Sequence, residues 1–263
     1  MERFDGRRVL ITGGGSGIGQ ATVARILAEA GTVVAADVDE GGLRATVELA
    51  AAAGHHDRLH TLPVDIANEE SVRVAVSSAV DLLGGLDVLV NAAGVLRSVH
   101  TESMSLDVWN QIIGVNLTGT FLMTRQSLPA LLESGNGVVV NFSSTSATFA
   151  HPYMAAYAAS KGGIQSFTHA IALEFAKRGL RAVSVCPGSI ASGMTDASGT
   201  SHTNMGPGIP EDADMSLFAK LLPAIGDGFA GPDTVAALVA MLASDDGRFI
   251  TGTEVRIDGG THM

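Results

Sequence analysis

A chain of 263 residues has room for one substantial hydrophobic core, and its formal charge of −11 argues against nucleic acid or an anionic membrane as a partner. The single cysteine, Cys186, excludes an internal disulfide and suits a reducing cytosol, while a composition 46% hydrophobic but only 5% aromatic points to a core of Ala, Val, Leu and Ile under parallel strands. No apolar run approaches membrane-spanning length and no signal-peptide pattern precedes the first expected strand, so a cytoplasmic location is expected.

In chain order, Val9–Thr12 reads as a short buried strand, followed by Gly13-Gly14-Gly15-Ser16-Gly17-Ile18-Gly19 and an amphipathic run from Gln20 to Ala30. Strand, glycine loop and helix start are the parts of a phosphate cradle. Glycines let the backbone approach a pyrophosphate, and the free N–H groups of the helix start favour its negative charge. The pattern is G-x-x-x-G-x-G and not G-x-G-x-x-G, because Ile18 stands where the latter requires glycine. The next strand, Thr32–Asp37, ends in a carboxylate where a dinucleotide fold places the acid that accepts hydrogen bonds from the adenosine ribose. A carboxylate there repels a 2′-phosphate, and no Arg or Lys follows until Arg44, so NAD is favoured over NADP.

Further strands are expected at Leu59–Val64, Val88–Asn91, Val138–Phe142, Ala182–Cys186 and Glu254–Ile257, with helical stretches between them. This alternation predicts a single domain over residues 1–263 with a doubly wound, seven-stranded parallel sheet, helices on both faces, and a ligand outside the carboxyl ends of the strands. Long helices are expected near Leu106–Leu132 and Ala155–Arg178.

Within the second of these, Tyr157 and Lys161 are four residues apart, so a phenol and an ammonium leave one face of a helix, with Ser144 a short way upstream. A free phenol titrates near pH ~10, and a fixed neighbouring cation is expected to pull it toward working pH. Ser144 could hold a substrate oxygen beside it. The stretch from Ala191 to Gly231, punctuated by glycine and proline, is read as a lid whose residues Met194, Met205, Met215, Phe218 and Leu222 face Leu96, Val99, Phe149 and Met154 across an apolar pocket. The eight histidines show no metal-ligand spacing, so no metal site is expected; His151, between Ser144 and Tyr157, could line the pocket.

With these residues in view, the chain resembles the short-chain dehydrogenase/reductase family over almost its whole length. Thr12-Gly13-x-x-x-Gly17-Ile18-Gly19, Asn91-Ala92-Ala93-Gly94, Asn116, Ser144, Tyr157-x-x-x-Lys161 and Cys186-Pro187-Gly188 occur in the family's order and approximate spacing. Ser144 is preferred to Ser143 because its separation of thirteen residues from Tyr157 matches the family pattern. The resemblance implies a catalytic tetrad of Asn116, Ser144, Tyr157 and Lys161, with Asn116 joined to Lys161 by a water chain. It implies cofactor contacts from Gly13, Ser16, Gly17, Ile18, Gly19 and Asp37, from Asp65 and Ile66 at the adenine, and from Asn91, Ala92 and Gly94 at the sheet end. Tyr157, Lys161, Pro187, Gly188, Ile190 and Ser192 complete the set, Ser192 standing where many members carry threonine. A homotetramer is implied as well.

These residues together point to an NAD-dependent oxidoreductase interconverting a secondary alcohol and a ketone, with a largely apolar small-molecule substrate. Two alternatives stay open. One is an NADPH-dependent 3-oxoacyl carrier-protein reductase of the same fold; the other is a non-catalytic NAD-sensing binding protein.

Overall fold

The computed structural model describes residues 2–196, 206–226 and 228–263. Seven strands form one sheet: β1 (Arg8–Thr12), β2 (Thr32–Asp37), β3 (Leu59–Pro63), β4 (Val88–Asn91), β5 (Val138–Phe142), β6 (Arg181–Pro187) and β7 (Glu254–Ile257). Every neighbouring pair is parallel, in the order β3-β2-β1-β4-β5-β6-β7. All seven expected strands are present, with bounds shifted by one residue at most. β4 and β5 are buried along their whole length, which is why they read as unbroken Val-rich runs and not as alternating patterns.

Among the described residues the α-helices are α1 (Gly17–Ala28), α2 (Glu40–Ala52), α3 (Glu69–Leu83), α4 (Leu106–Ile113), α5 (Gly119–Glu133), α6 (Ala155–Phe175), the short α7 (Gly193–Asp196) and α8 (Pro232–Ala243). Successive strand residues point to opposite faces, so Val9 and Ile11 join one core with residues of α1, α2 and α8, while Leu10 joins the other with residues of α3, α5 and α6. Side-chain caps mark several helix starts: Asp39 accepts from Gly41 N, and Asn68 accepts from Ser71 N. Gly84, with φ of 68°, closes α3 in the left-handed region.

One expectation needs correction. The expected long helix near Leu106–Leu132 is divided by a π-turn over Gly114–Thr118, which inserts a wider turn between α4 and α5 and carries Asn116 inward. Met215–Leu221 forms a 3₁₀ segment, begun by Asp214 accepting from Ser216 N. Strand order reverses between β1 and β4, and the crevice at their carboxyl ends is where the site residues collect.

Candidate active site

The site grows from the turn after β1. Gly13 has φ of 71°, and a Cβ there would stand 2.8 Å from the Ala93 nitrogen, so a side chain is excluded by both conformation and space. A Cβ on Gly19 would overlap the Gly13 carbonyl oxygen, which makes glycine the residue that lets α1 begin so close under the loop. The loop is held from outside: Gln20 Nε2 donates to the Gly15 carbonyl at 3.1 Å, and Thr46 Oγ1 donates to the Gly14 carbonyl at 2.8 Å. Asp37 ties it to β2, its Oδ2 accepting from Gly15 N at 2.9 Å and its Oδ1 from Asp39 N at 3.0 Å. Gln20 and Thr46 were not legible as site residues, since both lie on helices and reach the loop through its backbone carbonyls.

A cavity of about 630 Å³ runs from this loop across the strand ends. Gly13, Ser16, Gly17, Ile18, Gly19, Asp37, Asp65, Ile66, Ala92 and Gly94 line it, as do Ser144, Tyr157, Lys161, Pro187, Gly188, Ile190 and Ser192. The cradle therefore has the backbone approach, the helix start and the carboxylate that a dinucleotide needs. Thr195, absent from the expected set, also lines the cavity; its hydroxyl accepts from Ser192 N at 3.1 Å and donates to the Ile190 carbonyl at 2.9 Å.

Asn91 and Asn116 do not line the cavity. Asn91 lies in the sheet interior, where its Nδ2 donates to Thr124 Oγ1 at 3.1 Å and Asn141 Oδ1 at 2.9 Å. Asn141 Nδ2 in turn donates to Thr168 Oγ1 at 2.9 Å, so a buried polar chain locks β4 and β5 to the helices on one face. Asn116 is wholly buried in the π-turn. Its Oδ1 accepts from Val95 N at 2.8 Å, while its Nδ2 donates to the Val95 carbonyl at 2.9 Å and to Ser160 Oγ at 3.1 Å. It clamps the strand-end loop to α6, the helix that carries Tyr157 and Lys161.

Lys161 is also buried and donates from Nζ to the Phe142 carbonyl at 2.8 Å, with the ammonium 5.5 Å from the centre of the Tyr157 ring. Burial pushes the Tyr157 phenol up to about 12, against a hydrogen bond with Ser144 that pulls it down. Burial likewise pushes Lys161 down to about 8, with Cys186 opposing. The expected fall of the phenol toward neutral pH is thus reversed in this arrangement, because desolvation of the anion outweighs an ammonium held on the carbonyl of β5.

The apolar end is formed by Leu96, Met154, Met194, Met215, Phe218 and Leu222. Val99 and Phe149, expected as opposing walls, do not reach it, and Met205 lies outside the described residues. Thr261 and His262 do line it, at the far C-terminus, where no periodicity or motif in the sequence marked them.

A family profile described as short chain dehydrogenase matches residues 7–202. The chain belongs to the short-chain dehydrogenase family. It is 33% identical to the 3-oxoacyl-[acyl-carrier-protein] reductase of Thermotoga maritima, over 98% of each chain. It is 34% identical to the D-threitol dehydrogenase of Mycolicibacterium smegmatis, over 98% of this chain and 94% of that one. Among solved structures, a short-chain dehydrogenase from Mycobacterium paratuberculosis bound to NAD superposes with a TM-score of 0.88 at 28% identity, covering 98% of each chain. One from Burkholderia cenocepacia in complex with NADP gives 0.84 at 30% identity, covering 99% of this chain and 100% of that one. This short-chain dehydrogenase is therefore an oxidoreductase with a nicotinamide-cofactor fold, and its relatives carry either dinucleotide.

Proposed function

We propose that this short-chain dehydrogenase interconverts a secondary alcohol and a ketone with NAD. The observation that carries the reading is one cavity lined at one end by the glycine loop and Asp37 and at the other by Ser144, Tyr157 and Lys161. A bound nicotinamide dinucleotide supplies the hydride acceptor or donor. The chain does the rest. Tyr157 takes the substrate hydroxyl proton in oxidation and returns one in reduction, Ser144 holds the same oxygen, and Lys161 provides positive charge beside the ring. Asn116 is a positioning residue, keeping Val95 and Ser160 in place around α6.

Asp37 supports NAD over NADP, since its fixed carboxylate lines the cavity beside the glycine loop, where a dinucleotide fold places the adenosine ribose. The same feature weighs against an NADPH-dependent 3-oxoacyl reductase, the activity named for the Thermotoga relative. Exposed Leu106, Trp109 and Phe121 on α4 and α5, with Leu173 on α6, support burial of these faces in a homotetramer. A panel of secondary alcohols, assayed for reduction of NAD and of NADP, tests the reading. NAD binding without turnover on any of them would favour a nucleotide sensor.

Residues 191–231 act as a substrate lid in this reading, with 197–205 and 227 outside the described residues. They are tied down by Ser98 N donating to the Pro207 carbonyl at 2.7 Å, Asp214 N donating to Tyr153 Oη at 2.8 Å, and His100 Nε2 lying 2.9 Å from Asp212 Oδ1. Met215 and Phe218 face the cavity from this segment. Replacing both with alanine is expected to raise KM about threefold or more, or to change substrate preference, while Kd for NAD stays within about twofold. Loss of thermal stability alone would make the segment a structural cover.

A further inference from the structure

The catalytic end of the cavity holds a polar cluster used neither by the acid/base residues nor by the dinucleotide cradle. Thr145 follows Ser144, and its Oγ1 lies 3.3 Å from His151 Nε2. That nitrogen lies 3.3 Å from His262 Nε2. All three residues line the same cavity as Ser144 and Tyr157.

The cluster is assembled by the fold from distant parts of the chain. His151 comes from the loop before α6, and His262 arrives from beyond β7. The His262 ring stacks on Phe149, with centroids 4.5 Å apart and planes within 8°, and Phe149 carries the Arg256 guanidinium 5.1 Å from its ring centre. The His262 backbone donates to the Lys220 carbonyl at 3.3 Å, so the ring is anchored on two sides.

The chemistry of the cluster points to a neutral oxygen. Burial, helped by the facing His262, pushes His151 down to about 4, and burial lowers His262 as well, so both rings are uncharged at pH 7. Neutral imidazoles and a threonine hydroxyl offer donors and acceptors together, the combination a hydroxyl group needs. Both 3.3 Å contacts are longer than the ~2.9 Å usual for such bonds, so a ligand oxygen placed among them would make better ones. Thr145 adjoins Ser144 in the chain and both line the same cavity, so one small molecule can place an oxygen at each.

We propose that Thr145, His151 and His262 form a subsite for a second substrate oxygen, which makes the substrate class a diol and its hydroxyketone. The proposal rests on the alcohol/ketone reading above. The second hydroxyl is bound and not oxidised; the redox step is unchanged.

The test compares kcat/KM with NAD for paired substrates: vicinal butanediol against secondary butanol, and vicinal cis-cyclohexanediol against cyclohexanol. A diol preference of at least about tenfold is expected in one pair or both, because a site built around a hydroxyl is left unpaired by the analogue lacking it. His151→Phe and His262→Phe keep an aromatic ring in place and should each lower the diol-to-monoalcohol ratio at least about fivefold. His262→Gln, which restores a donor and an acceptor, should recover part of it. A purely structural role would lower both substrates in proportion and leave the ratio alone.

A second measurement does not need turnover or a folded variant. With NADH present, cis-cyclohexanediol should shift the imidazole nitrogen NMR resonances of the parent protein, and cyclohexanol should not. Resonances that move with the diol alone in a protein oxidising no alcohol would keep the subsite and end the activity reading. Alcohol oxidation with no diol preference, or with a ratio unchanged in both phenylalanine variants and imidazole signals unmoved, would overturn the subsite and leave the activity standing.

Discussion

Tyr157→Phe is expected to lower turnover at least about a thousandfold while Kd for NAD stays within about twofold of the parent value. The substitution removes one oxygen and keeps the ring, so packing in the cavity wall is retained. The pH dependence follows from burial. Oxidation requires the phenolate, and a phenol pushed up to about 12 is almost wholly protonated at pH 7, so alcohol oxidation should climb as pH rises from below 7 toward 8. Ketone reduction, which uses the protonated phenol, should show no such climb. Lys161 supports the phenolate only while it is itself charged, which with a value of about 8 means chiefly below pH 8, so the climb should flatten above it. Lys161→Met should lower oxidation at pH 8 and move the remaining rise to higher pH. These outcomes are read from pH–rate profiles in both directions; near-normal turnover in Tyr157→Phe would assign the proton transfer to another group.

Cofactor choice should depend on Asp37 to a similar degree. The parent protein is expected to prefer NAD over NADP by at least about a hundredfold in kcat/KM, since lost ribose hydrogen bonds and charge repulsion together amount to ~3 kcal/mol. The carboxylate cannot easily swing away, because its two oxygens accept from Gly15 N and Asp39 N. Asp37→Ala should narrow the preference chiefly by weakening NAD, and it also leaves Gly15 N without its partner. Asp37→Asn keeps an acceptor and removes the charge, so it should improve NADP more than it harms NAD. Equal efficiency of the parent with both dinucleotides would overturn the assignment, and family membership does not decide it in advance, with solved relatives bound to NAD and to NADP.

The sheet, the glycine loop and the Tyr157–Lys161 spacing were legible in the sequence because each is written locally. Val138–Phe142 is a strand because a short run of large apolar residues is buried on both faces, and Gly13 is glycine because its own backbone is left-handed. Asn116 shows where local reading stops. Its type and place pointed to the site, yet its amide reaches Val95 and Ser160, partners brought together only when a π-turn carries it inward. Asn91 was likewise readable as a sheet-end residue but not as a member of a buried chain running through Asn141 to Thr168.

By itself, then, the sequence determined the order of the strands along the chain, the glycine turn after β1 and the Tyr157–Lys161 pairing on one helix face, all properties of a few neighbouring positions. The tertiary structure alone decided that Tyr157 is pushed up and not down, because desolvation depends on everything packed over the phenol. It alone decided that His262 meets His151 beside Thr145, because these segments share no periodicity or motif and are joined only by the route of the chain through β6 and β7.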